Sequence, residues 1–362
     1  MNTEEFAFAS TRQFTRGKKR KLLEIFNDVR EFLNASDKKV MSLGIVTEEE
    51  LKAFQREAPS LKMQEAFRHF TEAGYKLAMN YDNDFPESLR YIHEPPVALF
   101  YNGTLPGRAE KLVAMVGARR CTAYGRVMAT KIAFELASHG YSVVSGMAYG
   151  VDGHSHRGAL EGGGMTYAFV ASGIDICYPE ANRDIYEKIP EHGAVISEFA
   201  PSTRPLPEFF PDRNRLISGL SQAVLVIEAR ERSGSLITAD FALDQGKDVY
   251  ALPGKVTDPL SAGCNKLIWQ GAGIIRSTDS LIDELQIGTQ SDSISLSEIK
   301  KPDLTQEELL VYSAFDFSAK SIDEVQGECG LTLLEILGAV SSLCQRGYLK
   351  EVFLNHYVRN NA

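Results

Sequence analysis

The spacing of apolar positions changes character twice along this chain, from helical to short buried runs and back to helical. In the first 80 residues, RGKKRKLLEIFNDVREFLN sets Leu22, Leu23, Ile25, Phe26, Val29, Phe32 and Leu33 at helical intervals. Further helices are predicted near Glu48–Arg56 and Leu61–Ala73, the first with Thr47 as N-cap and three glutamates in its opening turn. Residues 1–80 therefore read as a small helical domain. The basic run from Arg16 to Lys21 reads as a solvated face, with a nucleic-acid backbone contact as the alternative.

From Tyr81 the pattern breaks. Pro86, Pro95 and Pro96 preclude a continuous helix, and VALFY, closed by Asn102-Gly103, reads as an edge strand. Short apolar runs then recur: LVAMV before Gly117, YSVVSG (141–146), TYAFVAS (166–172), AVISE (194–198), AVLVIEA (223–229) and DVYALP (248–253). Each has the length and character of a parallel strand covered on both faces. Helices are expected between them, notably Arg126–His139, Asp184–His192 and Ser235–Gln245. Repeated β-α-β units predict an α/β fold over 81–286, an open and mostly parallel sheet with helices on both faces. Ligands of such sheets bind at the carboxyl ends of the strands, where the strand order reverses. The polar, serine-rich residues 287–303 read as a linker. Residues 304–362 read as three helices and a hairpin, the winged-helix pattern. Its third helix has Glu335 near the start and only Arg346 at the end, so protein contact or scaffolding stands beside duplex reading.

Composition narrows the function classes. Of 362 residues, 44% are hydrophobic and 24% charged, and no apolar stretch is long enough to span a bilayer. MNTEEFAFAS has neither the basic start nor the apolar run of a secretory signal, so a cytoplasmic location is expected. The five cysteines are odd in number, widely spaced and without a C-x-x-C pair, which predicts reduced thiols. The close pair His154 and His156 lacks further ligands at metal spacing. No metal and no cofactor are expected. A net charge of −9 argues against coating nucleic acid by bulk charge. A local basic groove is still compatible, because binding responds to the field within a Debye length of about 8 Å.

The candidate chemistry sits in glycine-rich turns after the strands. VGARRCTAYG offers Gly117, Arg119 and Arg120 ahead of a helix N-terminus, a donor-rich setting for phosphate. SGMAYGVDGHSHRGAL places Gly146 and Gly150 for close backbone approach, with Asp152 able to cap the next helix. ASGIDICYPEANRDIY turns at Gly173, and EFAPSTRPLPEFFPDRNRLISGL reads as a long loop presenting Arg204, Arg213 and Arg215. EARERSGSLITADFAL brings Ser233, Gly234 and Ser235 to another helix start, and the last strand ends in PGKVTDPLSAGCNKLIWQGA. Donors from the five turns that follow YSVVSG through DVYALP are expected to converge on one sheet edge. No G-x-G-x-x-G, Walker A or G-x-S-x-G motif is present, and Ser235 has no evident base partner. Polyanion binding fits better than turnover, with single-stranded nucleic acid as the natural ligand. Tyr124, Phe209 and Phe210 are candidate stacking surfaces, the two phenylalanines reading better as core.

VGARRCTAYG, SGMAYGVDGHSHRGAL, FPDRNRLISGLS, VLVIEARERSGSLITADFAL and the PG…G-x-N-x-LI…GA run, taken together, resemble the DNA-processing protein A (DprA/Smf) family. The resemblance covers Asp82 to about Leu285. It implies an extended Rossmann-like fold flanked by a sterile-alpha-motif-like helical domain and a winged-helix domain. It also implies homodimerisation, single-stranded DNA binding and loading of RecA recombinase during natural transformation, with no catalytic residue. It carries Arg119, Arg213, Arg215, Ser235 and Thr238 to the DNA pocket, and the motif turns add Gly117, Arg120, Thr122, Tyr124, Gly125, Ser145, Gly146, Gly150, Asn214 and Gly234. Ala118 stands where the family usually has serine or threonine, and Glu180 where many members have a basic residue. The alternative is a Rossmann-like enzyme of the nucleotide phosphoribohydrolase type, but its PGG-x-G-T loop is missing, since Lys255 follows Pro253-Gly254. A winged-helix transcription regulator is a third reading, disfavoured by the weak basicity of the third helix.

Overall fold

Successive side chains of a strand point to opposite faces, and in Lys111–Val116 both sets are apolar. Val113 and Met115 pack into one hydrophobic layer, Leu112, Ala114 and Val116 into another. This strand lies inside the main sheet of a computed structural model that describes residues 1–291, 304–315, 320–346, 348–353 and 355–359. The chain divides into two compact units, Met1–Gly288 and Thr289–Ala362.

In the first unit, the described residues form one sheet of strands β1 (Lys76–Met79), β2 (Ala98–Gly103), β3 (Lys111–Val116), β4 (Tyr141–Ser145), β5 (Thr166–Phe169), β6 (Gly193–Ser197), β7 (Ala223–Val226), β8 (Asp248–Ala251) and β9 (Gly273–Ile274). Their spatial order is β1-β2-β6-β5-β4-β3-β7-β8-β9. From β6 across to β9 every pairing is parallel, and only β2 on β6 and β1 on β2 run antiparallel. The mostly parallel sheet expected from the apolar runs is therefore present. VALFY forms β2, which is not the edge, because β1 covers it. β1 and β9 escape the sequence reading and are defined by their pairing with β2 and β8.

Six helices precede the sheet: α1 (Thr3–Ser10), α2 (Arg16–Ile25), α3 (Val29–Asn34), α4 (Asp37–Ser42), α5 (Glu48–Glu57) and α6 (Leu61–Glu72). Each starts at a side chain whose oxygen accepts from a first-turn N–H, in order Asn2, Thr15, Asp28, Ser36, Thr47 and Ser60. Asp28 explains why the long apolar pattern from Leu22 to Leu33 splits into two helices. The helices share a core with the sheet, where Phe6 and Phe70 lie edge-on to Phe100 of β2 at 6.2 and 5.8 Å. The basic run is only partly solvated: Lys21 is exposed, but other cations are engaged. Lys19 is buried and donates to Ala9 O at 2.6 Å, Lys18 pairs with Glu50, and Arg20 pairs with Glu24.

Between and after the strands come α7 (Ala123–Ser138), α8 (Val151–Glu161), α9 (Arg183–Lys188), α10 (Phe209–Leu220), α11 (Gly234–Asp244), α12 (Ala262–Trp269) and α13 (Thr278–Ser291). α7, α8 and α13 pack on the Val113 face, whereas α10, α11 and α12 pack on the Ala114 face. The stretch read as a long arginine-bearing loop is in part α10. Pro211 sits in its first turn, where a proline has no intrahelical hydrogen bond to lose. α13 runs into the stretch read as a linker, and residues 292–303 of that stretch lie outside the described residues.

The second unit contains α14 (Gln306–Ala314), α15 (Ile322–Cys329), α16 (Leu333–Gln345) and a small sheet of β10 (Lys320–Ser321), β11 (Leu349–Phe353) and β12 (His356–Arg359) in the order β10-β12-β11. Val311, Phe315, Val325, Ile336, Val340, Leu343 and Leu349 form its core. Glu335 closes a capping box with Thr332, which accounts for an acidic residue at the start of α16. Among the described residues no helix is long and apolar enough to cross a membrane.

The contact between α7 and α8 depends on close backbone approach: a Cβ on Gly158 would fall 2.2 Å from Thr130 O. Helix propensity alone favours Gly158→Ala by roughly 1 kcal/mol. The overlap, of a kind that costs about 1–3 kcal/mol, should outweigh it, so urea unfolding is expected to show a lowered midpoint. A raised midpoint would show that the interface relaxes freely.

Candidate functional site

β4 lies on one side of β3 and β7 on the other, so the strand order reverses at β3. A cleft of about 420 Å³ opens at the carboxyl ends of these strands. Its lining includes Gly117 and Arg119 after β3, Asp152 in the first turn of α8, Phe210, Arg213 and Asn214 of α10, and Arg232, Gly234, Ser235 and Thr238 around the start of α11.

Arg213 forms the floor. It is 4% exposed, and Nη1 donates to Gly146 O at 2.5 Å and to Phe169 O, tying the ends of β4 and β5 together. Its Nε donates to Asn214 Oδ1 at 3.2 Å, and Asn214 in turn donates to Gly234 O at 3.2 Å. Burial pushes the guanidinium pKa down to about 10, against the pull of nearby Asp152. Burial also raises the Asp152 carboxyl above its usual range, opposed by Arg213 and by the Ala148 N–H at 3.3 Å. Asp152 lies within α8, whose N-cap is Gly150, so its oxygen does not cap that helix as expected. A Cβ on Gly146 would lie 2.5 Å from Arg213 Nη1 and 2.6 Å from Asp152 Oδ2, so glycine is required for both groups to cross the turn.

The two helix N-termini differ. At α7, Glu228 from the end of β7 accepts from Thr122 N at 2.9 Å and Thr122 Oγ1 at 2.5 Å. The same carboxylate occupies the space a Cβ on Gly125 would need, 2.4 Å away. An internal anion thus sits where the sequence suggested phosphate, and Thr122 and Gly125 serve it. At α11, the Ser233 hydroxyl accepts from Ser235 N at 3.4 Å and lies 2.8 Å from Ser235 Oγ, with no acidic residue in the first turn. This N-terminus faces the cleft beside Arg232.

Above the floor, the Arg119 guanidinium lies over the Phe210 ring at 4.8 Å, a cation–π arrangement. Tyr178 meets Phe210 edge-on at 6.0 Å. A smaller hollow next to the cleft adds Tyr149, Ser172 and Pro179, with Tyr149 and Tyr178 each nearly half exposed. Phe209 instead stacks on Phe199 at 4.4 Å.

Not every residue singled out from the sequence lines this cleft. Arg120 is exposed beyond the lining, and Tyr124 turns its hydroxyl toward Pro253 O at 3.4 Å. Ser145 is buried and donates to Met115 O at 2.6 Å, while Arg215 is buried on Glu198 at 2.6 Å. Gly150 shapes the β4 turn without lining the cleft. The segments after β3, β4, β6 and β7 contribute, the turn after β5 borders only the smaller hollow, and the Pro253-Gly254 turn joins neither. Sequence reasoning passed over Arg232, Glu228, Tyr149 and Tyr178. An acidic residue ending an apolar strand, as in AVLVIEA, was the available signal for Glu228.

Behind the cleft, His156 is fully buried, with Nδ1 2.7 Å from Thr166 Oγ1, which itself donates to Val143 O. Burial, aided by Arg213 and Arg157, lowers its pKa to about 3. The folded form therefore holds a neutral ring while the unfolded chain protonates near pH 6.5. From this group stability is full above pH 6.5 and falls toward pH 3, by up to about 1.4 kcal/mol per pH unit. Urea unfolding between pH 7 and 4.5 should be less pH-dependent in His156→Gln than in the parent chain; identical slopes would refute the assignment.

Such an arrangement defines an open α/β protein with an arginine-rich cleft at its strand-order reversal. Residues 76–286 match the family model of DNA recombination-mediator protein A, and the chain belongs to that family. It is 40% identical over 205 residues to DNA processing protein DprA of Streptococcus pneumoniae, spanning 57% of this chain and 72% of that protein. Protein Smf of Escherichia coli is 39% identical over 209 residues, spanning 57% of this chain and 56% of Smf. The crystal structure of the Streptococcus pneumoniae protein superposes with a TM-score of 0.68 at 32% identity, covering 78% of this chain and 98% of that one. A structure of DNA processing protein A from Helicobacter pylori, described for its single-stranded DNA binding mode, superposes with a TM-score of 0.53 at 29% identity, covering 59% of this chain and 96% of that one.

Proposed function

We propose that this chain binds single-stranded DNA in the cleft between β3, β4 and β7 and acts as a recombination mediator without catalysing a reaction. The observation that carries the proposal is the grouping of Arg119, Arg213 and Arg232 with the start of α11 in one cleft. Phosphates would be met by Arg119, Arg232 and the first N–H groups of α11. Bases would stack on the surface made by Phe210, Tyr178 and Tyr149. Arg213 would act from below, because its donors are committed to backbone carbonyls. Turnover is disfavoured by the same commitments: Asp152 is held on the β4 turn, and Ser233 and Ser235 face each other without a base.

The family supplies the finer reading, in which a homodimer delivers the bound strand to RecA in the cytoplasm. We read the second unit as a winged helix and the first six helices as sterile-alpha-motif-like. α16 contains no lysine or arginine and exposes Leu333, Leu334 and Leu337, which favours a protein contact over duplex reading.

Fluorescence anisotropy of a labelled oligothymidine and its duplex counterpart at two salt concentrations tests the proposal. The single strand should bind more tightly, and the affinity should fall with salt. Arg119→Ala and Arg232→Ala should each weaken binding about tenfold, as expected for a charged hydrogen bond, with no dependence on base sequence. Each should also lower the slope of log K against log salt by about 0.7. Absence of single-strand binding at low salt would overturn the reading and bring a nucleotide-binding enzyme forward.

A further inference from the structure

α10 supplies Phe210, Arg213 and Asn214 to the cleft, yet its own start is weakly specified. Glu208 stands at the N-cap without a side-chain cap hydrogen bond, and Pro201, Pro205 and Pro207 precede it. Local chemistry therefore does not fix where this helix begins; tertiary contacts must. Phe209 stacks on Phe199, and the guanidinium of Arg16 lies 5.8 Å from the centre of the Phe199 ring. Arg16 Nη1 donates to Glu198 Oε2 at 3.0 Å, and its Nη2 donates to Asp212 Oδ2 in the first turn of α10. The same Glu198 oxygen accepts from Arg215 Nη2 at 2.6 Å, with both side chains about 5% exposed. Two guanidiniums meet two carboxylates, the buried Lys19 also acts on Glu198, and the group joins α2, the end of β6 and α10.

We propose that Arg16 is a positioning residue for the DNA cleft: it clamps Glu198 to Asp212 and so holds the first half of α10 where its side chains can form the cleft. Arg16 is absent from the cleft lining and touches no group there except through α10. The α1–α6 segment is thereby more than an appended domain, since it supplies one corner of the site's support. An isolated exposed ion pair contributes little. This one differs because Arg16 is shared between two carboxylates, one of them buried, and its loss leaves Asp212 without that partner. The effect on DNA rests on the single-strand reading above, whereas the placement of α10 does not.

Two readouts test the proposal in the full-length chain. Charge alone predicts that Asp212→Asn, which removes a negative group beside the cleft, tightens oligothymidine binding. Positioning predicts the reverse: Arg16→Gln and Asp212→Asn each weaken binding about three- to tenfold, and the double variant is no weaker than Arg16→Gln alone, because both break one contact. Arg16→Lys should recover only part of the loss, since a single ammonium cannot reproduce the fork that reaches both carboxylates. The second readout is hydrogen exchange without DNA. Amides from Arg213 to Ser218 should lose protection in Arg16→Gln while those of α7 and β3 keep theirs. Tighter binding by Asp212→Asn, or unchanged exchange in α10, would overturn the positioning role. If the parent chain binds no single strand yet α10 loses protection, the clamp stands and the DNA reading falls.

Discussion

A buried guanidinium makes the geometry of this site possible. Arg213 is taken out of water at a cost of several kcal/mol for an ion of its size, offset by two strand-end carbonyls and the neighbouring carboxylate of Asp152. Because those carbonyls close β4 and β5, one side chain fixes the spacing of two strand ends and the depth of α10. Gly146 is a consequence, since no other residue leaves room for the guanidinium. Phe210, three residues earlier on the same helix, is thereby presented upward to Arg119.

The anion logic of the cleft depends on a division between two helix starts. Glu228 fills the N-terminus of α7 with a carboxylate that belongs to the fold, so that terminus contributes rigidity. No acidic residue stands in the first turn of α11, where the Ser235 and Leu236 N–H groups turn back to the hydroxyl and carbonyl of Ser233. The positive end of one helix is thus met by a carboxylate of the fold, and that of the other is not. A net charge of −9 is compatible with a locally basic cleft, because the field inside it is set by nearby groups such as Arg119 and Arg232, within about a Debye length of roughly 8 Å.

The basic segment at Arg16–Lys21 has a different role from the one its composition suggests. Three of its five cations are directed into the fold: Lys19 to a backbone carbonyl, Lys18 to Glu50, and Arg16 to the acidic pair that borders α10. A lysine as deeply buried as Lys19, whose pKa is lowered to about 8 by that burial against the pull of Glu198 and Glu57, is a packing element and not a phosphate contact.

What the sequence by itself determined is the order and kind of most elements. From LVAMV onward, apolar runs of five to seven residues become parallel strands covered on both faces, and Thr47 starts a helix because its hydroxyl accepts from a first-turn N–H. The motifs after β3, β4, β6 and β7 border one cleft. Which side chain faces the ligand was left to the tertiary structure. Arg213 and Arg215 look equivalent in FPDRNR as a loop, but residues two apart on a helix point in nearly opposite directions, so one enters the cleft floor and the other turns to Glu198. Arg16 with Glu198 and Asp212, and Thr122 with Glu228, are separated by more than 100 residues. Local propensity carries no information about such pairs, because their energy exists only once the sheet has brought the two segments together.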